Sequence, residues 1–331
     1  MLNPKLYLNE KVFDSDCEMQ TTRLGFGEGL LEAGKADRNI VALSADLTES
    51  THCHKFAKEF PDRFIQCGVA EQNMASVAAG LAVSGKIPFI ASYATFSPGK
   101  NWETVRTTIV YNDANVKIAG HHSGIVTGPD GATHQATEDI AIMRALPNVT
   151  IFIPCDSNQA KAATLTAAKI NGPVYVRFTR DKTAVMTGDK TPFVPGKVDV
   201  YWESEKPVAT IFATGYMVYH ALLAAKMLKE EKVDVEVCNV STIKPLDEQE
   251  IVRLVKKSGA VVTCEDHQVM GGLGGAIAET LAKHKPTPIE FIGLQNTFAE
   301  SGKPQELLEK YKMDKNAILA AVKKVIARKT S

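Results

Sequence analysis

Runs of apolar, mostly β-branched residues alternate along this chain with stretches whose apolar positions recur at helical spacing. In the first half the runs predict strands over residues 40–44, 64–69, 87–92, 116–119, 149–154 and 174–179. Helix-like segments at 20–33, 71–83, 138–146 and 158–170 lie between them, ended by Gly34, Gly85, Pro147 and the pair Gly172-Pro173. Short continuous apolar runs suit strands buried on both faces, so the alternation predicts an α/β fold with a parallel sheet covered by helices. From Asp181 to Pro207 the chain turns polar, with Gly188, Pro192, Pro195 and Gly196, and residues 186–206 read as a linker. A second α/β set follows, with strands over 208–213, 233–239, 260–265 and 289–292. Its last helix, over 315–329, carries basic residues near its C-terminus, where they complement the helix dipole. The expected organisation is one domain over 1–185 and a smaller one over 207–331, joined by the linker.

Composition narrows the function classes. A chain of 331 residues is long enough for two cores. Lys plus Arg and Asp plus Glu both total 38, a balance that argues against a nucleic-acid footprint or a membrane-surface protein. Apolar stretches such as 75–84 are too short to span a bilayer, and charges interrupt the first sixteen residues, unlike a signal peptide. A soluble, cytoplasmic protein is expected. The six cysteines, at 17, 53, 67, 155, 238 and 264, form no CxxC and read as reduced, mostly buried thiols. His52-Cys53-His54 is the one tempting metal cluster, yet adjacent residues seldom converge on one ion and no further ligand group lies at zinc spacing. No metal ligand is assigned to this chain.

The segment HHSGIVTGPDGATHQ, residues 121–135, concentrates candidate chemistry. It brings three histidines and an aspartate onto a glycine-broken loop after an expected parallel strand, where open α/β sheets bind ligands. Such a loop suits proton transfer and recognition of a polar or anionic substrate; the alternative is a polar surface loop. Glu71 sits where a strand hands over to a helix, so it either shares a proton with a ligand nitrogen or complements the helix dipole. Nucleotide motifs fail. MGGLGGAI (270–277) has Ile277 in the third glycine position of GxGxxG, and its glycines are better read as packing a helix on a strand. There is neither a GxxxxGK[ST] nor a GxSxG.

Several segments together carry a resemblance. GVAEQNMASVAAG (68–80), SADLTES (44–50), SYATF (92–96), GPDGATHQ (128–135), RALPN (144–148) and PCDSNQA (154–160) resemble the pyrimidine-binding domain of transketolase and its thiamine-diphosphate relatives. Residues 208–294, including CEDHQVMGGLGG, resemble the family's C-terminal domain, so the likeness covers nearly the whole chain in order. It implies a thiamine-diphosphate-binding, pyrimidine-type parallel-sheet domain followed by a smaller transketolase C-terminal domain. By that resemblance Glu71 is the carboxyl partner of the cofactor's pyrimidine ring nitrogen, and Tyr93 and Phe96 pack on the ring. Asp46 matches an aspartate near the cofactor. His122, Asp130 and His134 match groups that contact oxygens near the reacting carbons. Arg23, Ser50 and Arg180 match contacts to substrate phosphate. His121 has no clear counterpart, and Arg177 and Lys182 read as surface charges.

The family's GDG motif, which marks the domain that binds magnesium and the diphosphate, does not occur. The resemblance therefore implies the C-terminal half of a split transketolase, inactive alone. Its partner is a separate chain carrying the diphosphate-binding domain, in a two-fold heterotetramer with thiamine diphosphate at the interfaces and the Mg2+ ligands on the partner. The reaction implied is transfer of a two-carbon ketol unit from a ketose phosphate to an aldose phosphate. Related alternatives remain. Deoxyxylulose-phosphate synthase has a similar AEQ segment but typically an arginine-containing pair where His121-His122 stands. The beta subunit of two-oxoacid dehydrogenases has the same two domains but a less similar loop. A split transketolase specialised for a modified sugar phosphate and a non-catalytic assembly subunit complete the set.

Overall fold

The larger sheet has seven strands, in the order Thr242–Lys244, Thr150–Phe152, Val174–Arg177, Lys117–His121, Ile87–Tyr93, Ile40–Ser44 and Phe64–Gln66. Six of them run parallel, and Thr242–Lys244, contributed by the second half of the chain, pairs antiparallel with Thr150–Phe152. This computed structural model describes residues 1–329. Ile40–Ser44 is buried at every position, as its apolar run requires, and so is Lys117–His121, where Lys117 Nζ donates to the Ile170 and Gly172 carbonyls. The run expected over 64–69 ends at Gln66, because Gly68 takes a φ of +64° and turns the chain toward the helix Glu71–Val83.

Two helices meet on one face of this sheet. Thr22–Ala36 lies so close to Ser157–Lys169 that a Cβ at Gly25 would fall 1.8 Å from the Ser157 carbonyl oxygen. Glycine costs a helix about 1 kcal/mol relative to alanine, and here it permits backbone contact that no side chain could. The buried Asp156 caps Ser157–Lys169 through the Gln159 amide at 2.9 Å and also accepts the Met186 and Thr187 amides at 2.7 and 2.6 Å. Residues 95–110, which show no clear period in the sequence, form irregular helical turns over Thr95–Lys100, Trp102–Thr104 and Val105–Val110. Pro98 and the extended Ser97 inside the first turn (φ −141°) break the 3.6-residue repeat.

The second sheet has the order Ile289–Leu294, Val261–Gln268, Ala209–Ala213, Val235–Asn239 and Asp199–Trp202, the last antiparallel. Asp199–Trp202 lies inside the polar stretch expected to be linker. Helices Met217–Glu230 and Lys315–Ala327 pack in one core, with Ile211, Val237 and Val262. Glu248–Ser258 and Leu273–His284 pack in another that runs on to Ile140, Met143 and Ile151 of the first half, so the two halves share an apolar core. The glycine-rich 271–275 segment packs a helix on a strand. The Leu273 and Gly274 amides donate to the buried Glu265 carboxylate at 2.7 and 2.8 Å. Burial pushes that carboxyl up to about 7, against the pull of those two bonds. A protein carboxylate thus takes the place at this helix start that a nucleotide phosphate would occupy. Among the described residues, no helix is long and apolar enough to cross a membrane.

Candidate active site

Tyr93 and His121 end adjacent parallel strands, and His122 follows with a φ of +53°, which turns its ring onto Tyr93. The two rings stack with centroids 3.7 Å apart and planes 21° apart. Phe96 lies 5.9 Å from Tyr93 and 5.4 Å from His134, so Tyr93, Phe96, His122 and His134 form one aromatic surface at the carboxyl end of the sheet. His121 points elsewhere. It is fully buried between Phe26 and Phe178, with neither ring nitrogen hydrogen-bonded.

The loop after His122 is fixed from both halves of the chain. Gly124 has a φ of +80°, and a Cβ there would fall 1.9 Å from an Asp266 carboxylate oxygen. That close approach lets Asp266 accept the Ile125 and Val126 amides at 2.8 and 3.3 Å. Thr127 Oγ1 donates to the His122 carbonyl at 2.7 Å, and Gln135 Nε2 bonds the Gly128 and Glu300 carbonyls.

Arg177 corrects the expectation of a surface charge. It is 2% exposed and donates from Nε and Nη2 to Asp139 at 2.8 and 3.2 Å. It also donates to the Ala136 and Asp266 carbonyls. Burial alone would raise the Asp139 pKa, but the Arg177 charge and its bonds hold that carboxyl below its ordinary range. The strand Val174–Arg177 is buried throughout, so the charge that closes it requires a partner. Lys182 is exposed.

The expected anion-binding residues come together. Arg23 Nη1 donates to the Ser50 carbonyl at 3.0 Å, so these two meet, although through the Ser50 backbone. Arg180 donates to the Thr127 carbonyl at 2.8 Å and lies 3.6 Å from Asp130. Burial, then the charge of Arg180, lowers the Arg23 pKa. Burial, followed by Arg23, Arg180 and His134, pushes His122 down to about 3, so its ring is neutral at neutral pH. Asp46 stands apart: exposed, with a φ of +61°, its amide held by Gln66 at 2.7 Å.

Glu71 opens its helix with a side chain 2% exposed, and its Oε2 meets Lys100 Nζ at 2.8 Å. Asn101 Nδ2 donates to the Glu71 carbonyl at 3.0 Å. Lys100 was invisible in the sequence, since 29 residues and an irregular turn separate it from Glu71. A buried carboxylate, a flat aromatic surface and a buried His122 Nδ1 without a hydrogen-bond partner fit a planar, nitrogen-bearing ring such as an aminopyrimidine. No group of three or more His, Cys, Asp or Glu side chains among the described residues is arranged to hold a metal ion.

This combination defines the class as the pyrimidine-binding half of a thiamine-diphosphate enzyme. The transketolase pyrimidine-binding domain family matches residues 18–185 and the transketolase C-terminal domain family residues 196–318. A Methanocaldococcus jannaschii protein named "Putative transketolase C-terminal section" is 45% identical over 89% of this chain and 93% of its own. A 6-deoxy-6-sulfo-D-fructose transketolase subunit from a Clostridium species is 39% identical over 96% and 98%. An apulose-4-phosphate transketolase subunit from Phocaeicola vulgatus is 36% identical over 91% and 96%. A solved split-gene transketolase, described as an inactive beta4 tetramer, superposes with a TM-score of 0.87 at 44% identity, over 93% of this chain and 99% of its own. The chain belongs to the transketolase family, as the C-terminal subunit of a two-chain enzyme.

Proposed function

We propose that this subunit, joined to a separate chain carrying the diphosphate-binding domain, transfers a two-carbon ketol unit between sugar phosphates. The donor is a ketose phosphate such as xylulose 5-phosphate and the acceptor an aldose phosphate such as ribose 5-phosphate, a pentose-phosphate role carried out in the cytoplasm. The observation that carries this reading is the cationic pair Arg23 and Arg180, set beside the stacked Tyr93 and His122. Guanidinium groups recognise a terminal oxyanion, while the aromatic surface receives a cofactor ring. Thiamine diphosphate, when bound, supplies the carbon nucleophile and the electron sink for cleaving the ketose. Glu71 holds a proton at the ring nitrogen; Tyr93 and Phe96 cover the ring and exclude water. His122 and His134 hydrogen-bond substrate oxygens near the reacting carbons, with Asp130 orienting a hydroxyl. Mg2+ is bound by the partner, in a heterotetramer built from two copies of each chain.

The test is turnover of xylulose 5-phosphate with ribose 5-phosphate by this chain alone and with its candidate partner, thiamine diphosphate and magnesium. Activity in the mixture alone is expected, and Glu71→Ala should abolish it while the subunits still co-purify. Near-normal turnover by that variant would remove Glu71 from its role. The sulfo-sugar relative motivates a second reading, a donor carrying a sulfonate instead of a phosphate. Turnover of a sulfonated ketose with none of xylulose 5-phosphate would favour it.

A further inference from the structure

His52 is a basic side chain beside Arg23 that the proposed function leaves unused. Its φ of +59° is uncommon outside glycine. The helix Thr22–Ala36 packs directly against His52. A Cβ at Gly27 would fall 2.7 Å from the His52 carbonyl oxygen and 2.8 Å from its Cβ. One turn earlier on the same helix, Arg23 donates to the Ser50 carbonyl at 3.0 Å. Residues four apart share a helix face, so one face of this helix fixes both the arginine and the histidine. Each keeps a buried nitrogen with no hydrogen-bond partner: Nε of Arg23 and Nδ1 of His52.

The charged groups facing this corner are mostly basic, with Asp130, 3.6 Å from Arg180, the acid that acts on Arg23. Glu28 of the same helix lies 3.8 Å from Lys55, and Glu49 lies 3.3 Å from His54, so both acids have basic neighbours of their own. The His54 ring is 5.6 Å from that of His52, and His121 and His122 approach from the strand end. Burial, then Arg23, His54 and Lys55, push His52 down to about 4, which leaves its ring neutral at neutral pH. A neutral imidazole among cations gains a proton when a sufficiently negative ligand offsets them. A sugar phosphate near neutral pH carries about −1.5 to −2, whereas a sulfonate carries a single negative charge.

We propose that His52 belongs to the terminal oxyanion subsite with Arg23 and Arg180, and that it distinguishes a phosphate dianion from a sulfonate monoanion. The dianion draws a proton from solvent onto the imidazole and accepts an N–H bond from it; the monoanion does not. This rests on the reading of Arg23 and Arg180 as the subsite for the sugar's terminal group.

The experiment uses the full chain with isotope-labelled histidine, titrated at pH 7 with inorganic phosphate and separately with methanesulfonate, and followed by NMR. Phosphate should move the His52 ring resonance saturably toward its protonated position, and methanesulfonate should not. His52→Phe should weaken phosphate binding about tenfold, the size of one charge-assisted hydrogen bond. His52→Gln, which can donate a bond but cannot take up a proton, should reduce the preference for phosphate over methanesulfonate. In the assembled enzyme, His52→Gln should raise KM for a phosphorylated donor more than for its sulfonated analogue. Equal responses of His52 to both anions would overturn the proposal. So would phosphate binding that survives both His52 substitutions but is lost in Arg23→Met, and that result would leave the oxyanion subsite standing. Phosphate binding and sugar-phosphate KM both indifferent to Arg23→Met would instead sink the subsite itself.

Discussion

Replacing Arg177 with methionine should cost about 3–5 kcal/mol of stability, the range for removing one partner of a buried ion pair. Arg177 and Asp139 are 2% and 1% exposed, so solvent cannot compensate the aspartate left behind. Of its hydrogen bonds among the described residues, Asp139 would keep that from the Tyr175 hydroxyl at 2.6 Å, and the Ala136 and Asp266 carbonyls would each lose a donor. Against the roughly 5–15 kcal/mol typical of folded domains, that loss should show as a large fall in the guanidinium unfolding midpoint. Arg177→Met with Asp139→Leu removes both charges, and most of the loss should return, because apolar replacement of a whole buried pair is often nearly neutral. Recovery should be partial, since Tyr175 then loses its acceptor. A single variant costing under about 1 kcal/mol, or a double variant no more stable than the single, would refute the account of a charge stranded in the core.

Arg180→Ala should raise KM for phosphorylated sugars about tenfold or more relative to unphosphorylated ones, from loss of charge-assisted bonds; equal effects on both would reject its phosphate role. Lys100→Met should tighten thiamine diphosphate binding in the assembled enzyme by up to about fivefold. A ring nitrogen must displace Lys100 from Glu71, and the lysine is 46% exposed, so the pair is worth about 1 kcal/mol at most. Unchanged or weaker binding by calorimetry would show that Lys100 does not compete. His122 should stay neutral down to pH 5 by NMR. Its folded pKa of about 3 lies below the unfolded value of 6.5, so the unfolded chain takes up the proton first. This residue therefore lowers stability as pH falls from about 6.5 to about 3 and has no such effect above that window. His122→Asn should lessen the acid sensitivity of unfolding, and a His122 titrating near 6.5 would contradict burial as the cause.

Apolar runs such as Ile40–Ser44 made the parallel strands legible, because a strand covered on both faces admits few polar residues. The 121–135 loop stood out because its polar residues are more than burial demands. Arg177 was misread because charge at a strand end looks solvated until its partner is known, and that partner, Asp139, lies 38 residues away. The 95–110 turns follow no single period and left no pattern to read. Lys100, the neighbour of Glu71, was missed with them.

The antiparallel strand Thr242–Lys244 bears on how such proteins recombine. It pairs Thr242 with Phe152 and Lys244 with Ile151, and Lys244 Nζ reaches the Arg144 and Leu146 carbonyls. A chimera joined anywhere in 186–206 would import a foreign strand into its own larger sheet along with the second domain. Exchange between homologues would therefore have to preserve this seam, even though more than fifty residues separate Thr242 from the nearest end of the first matched family domain at residue 185.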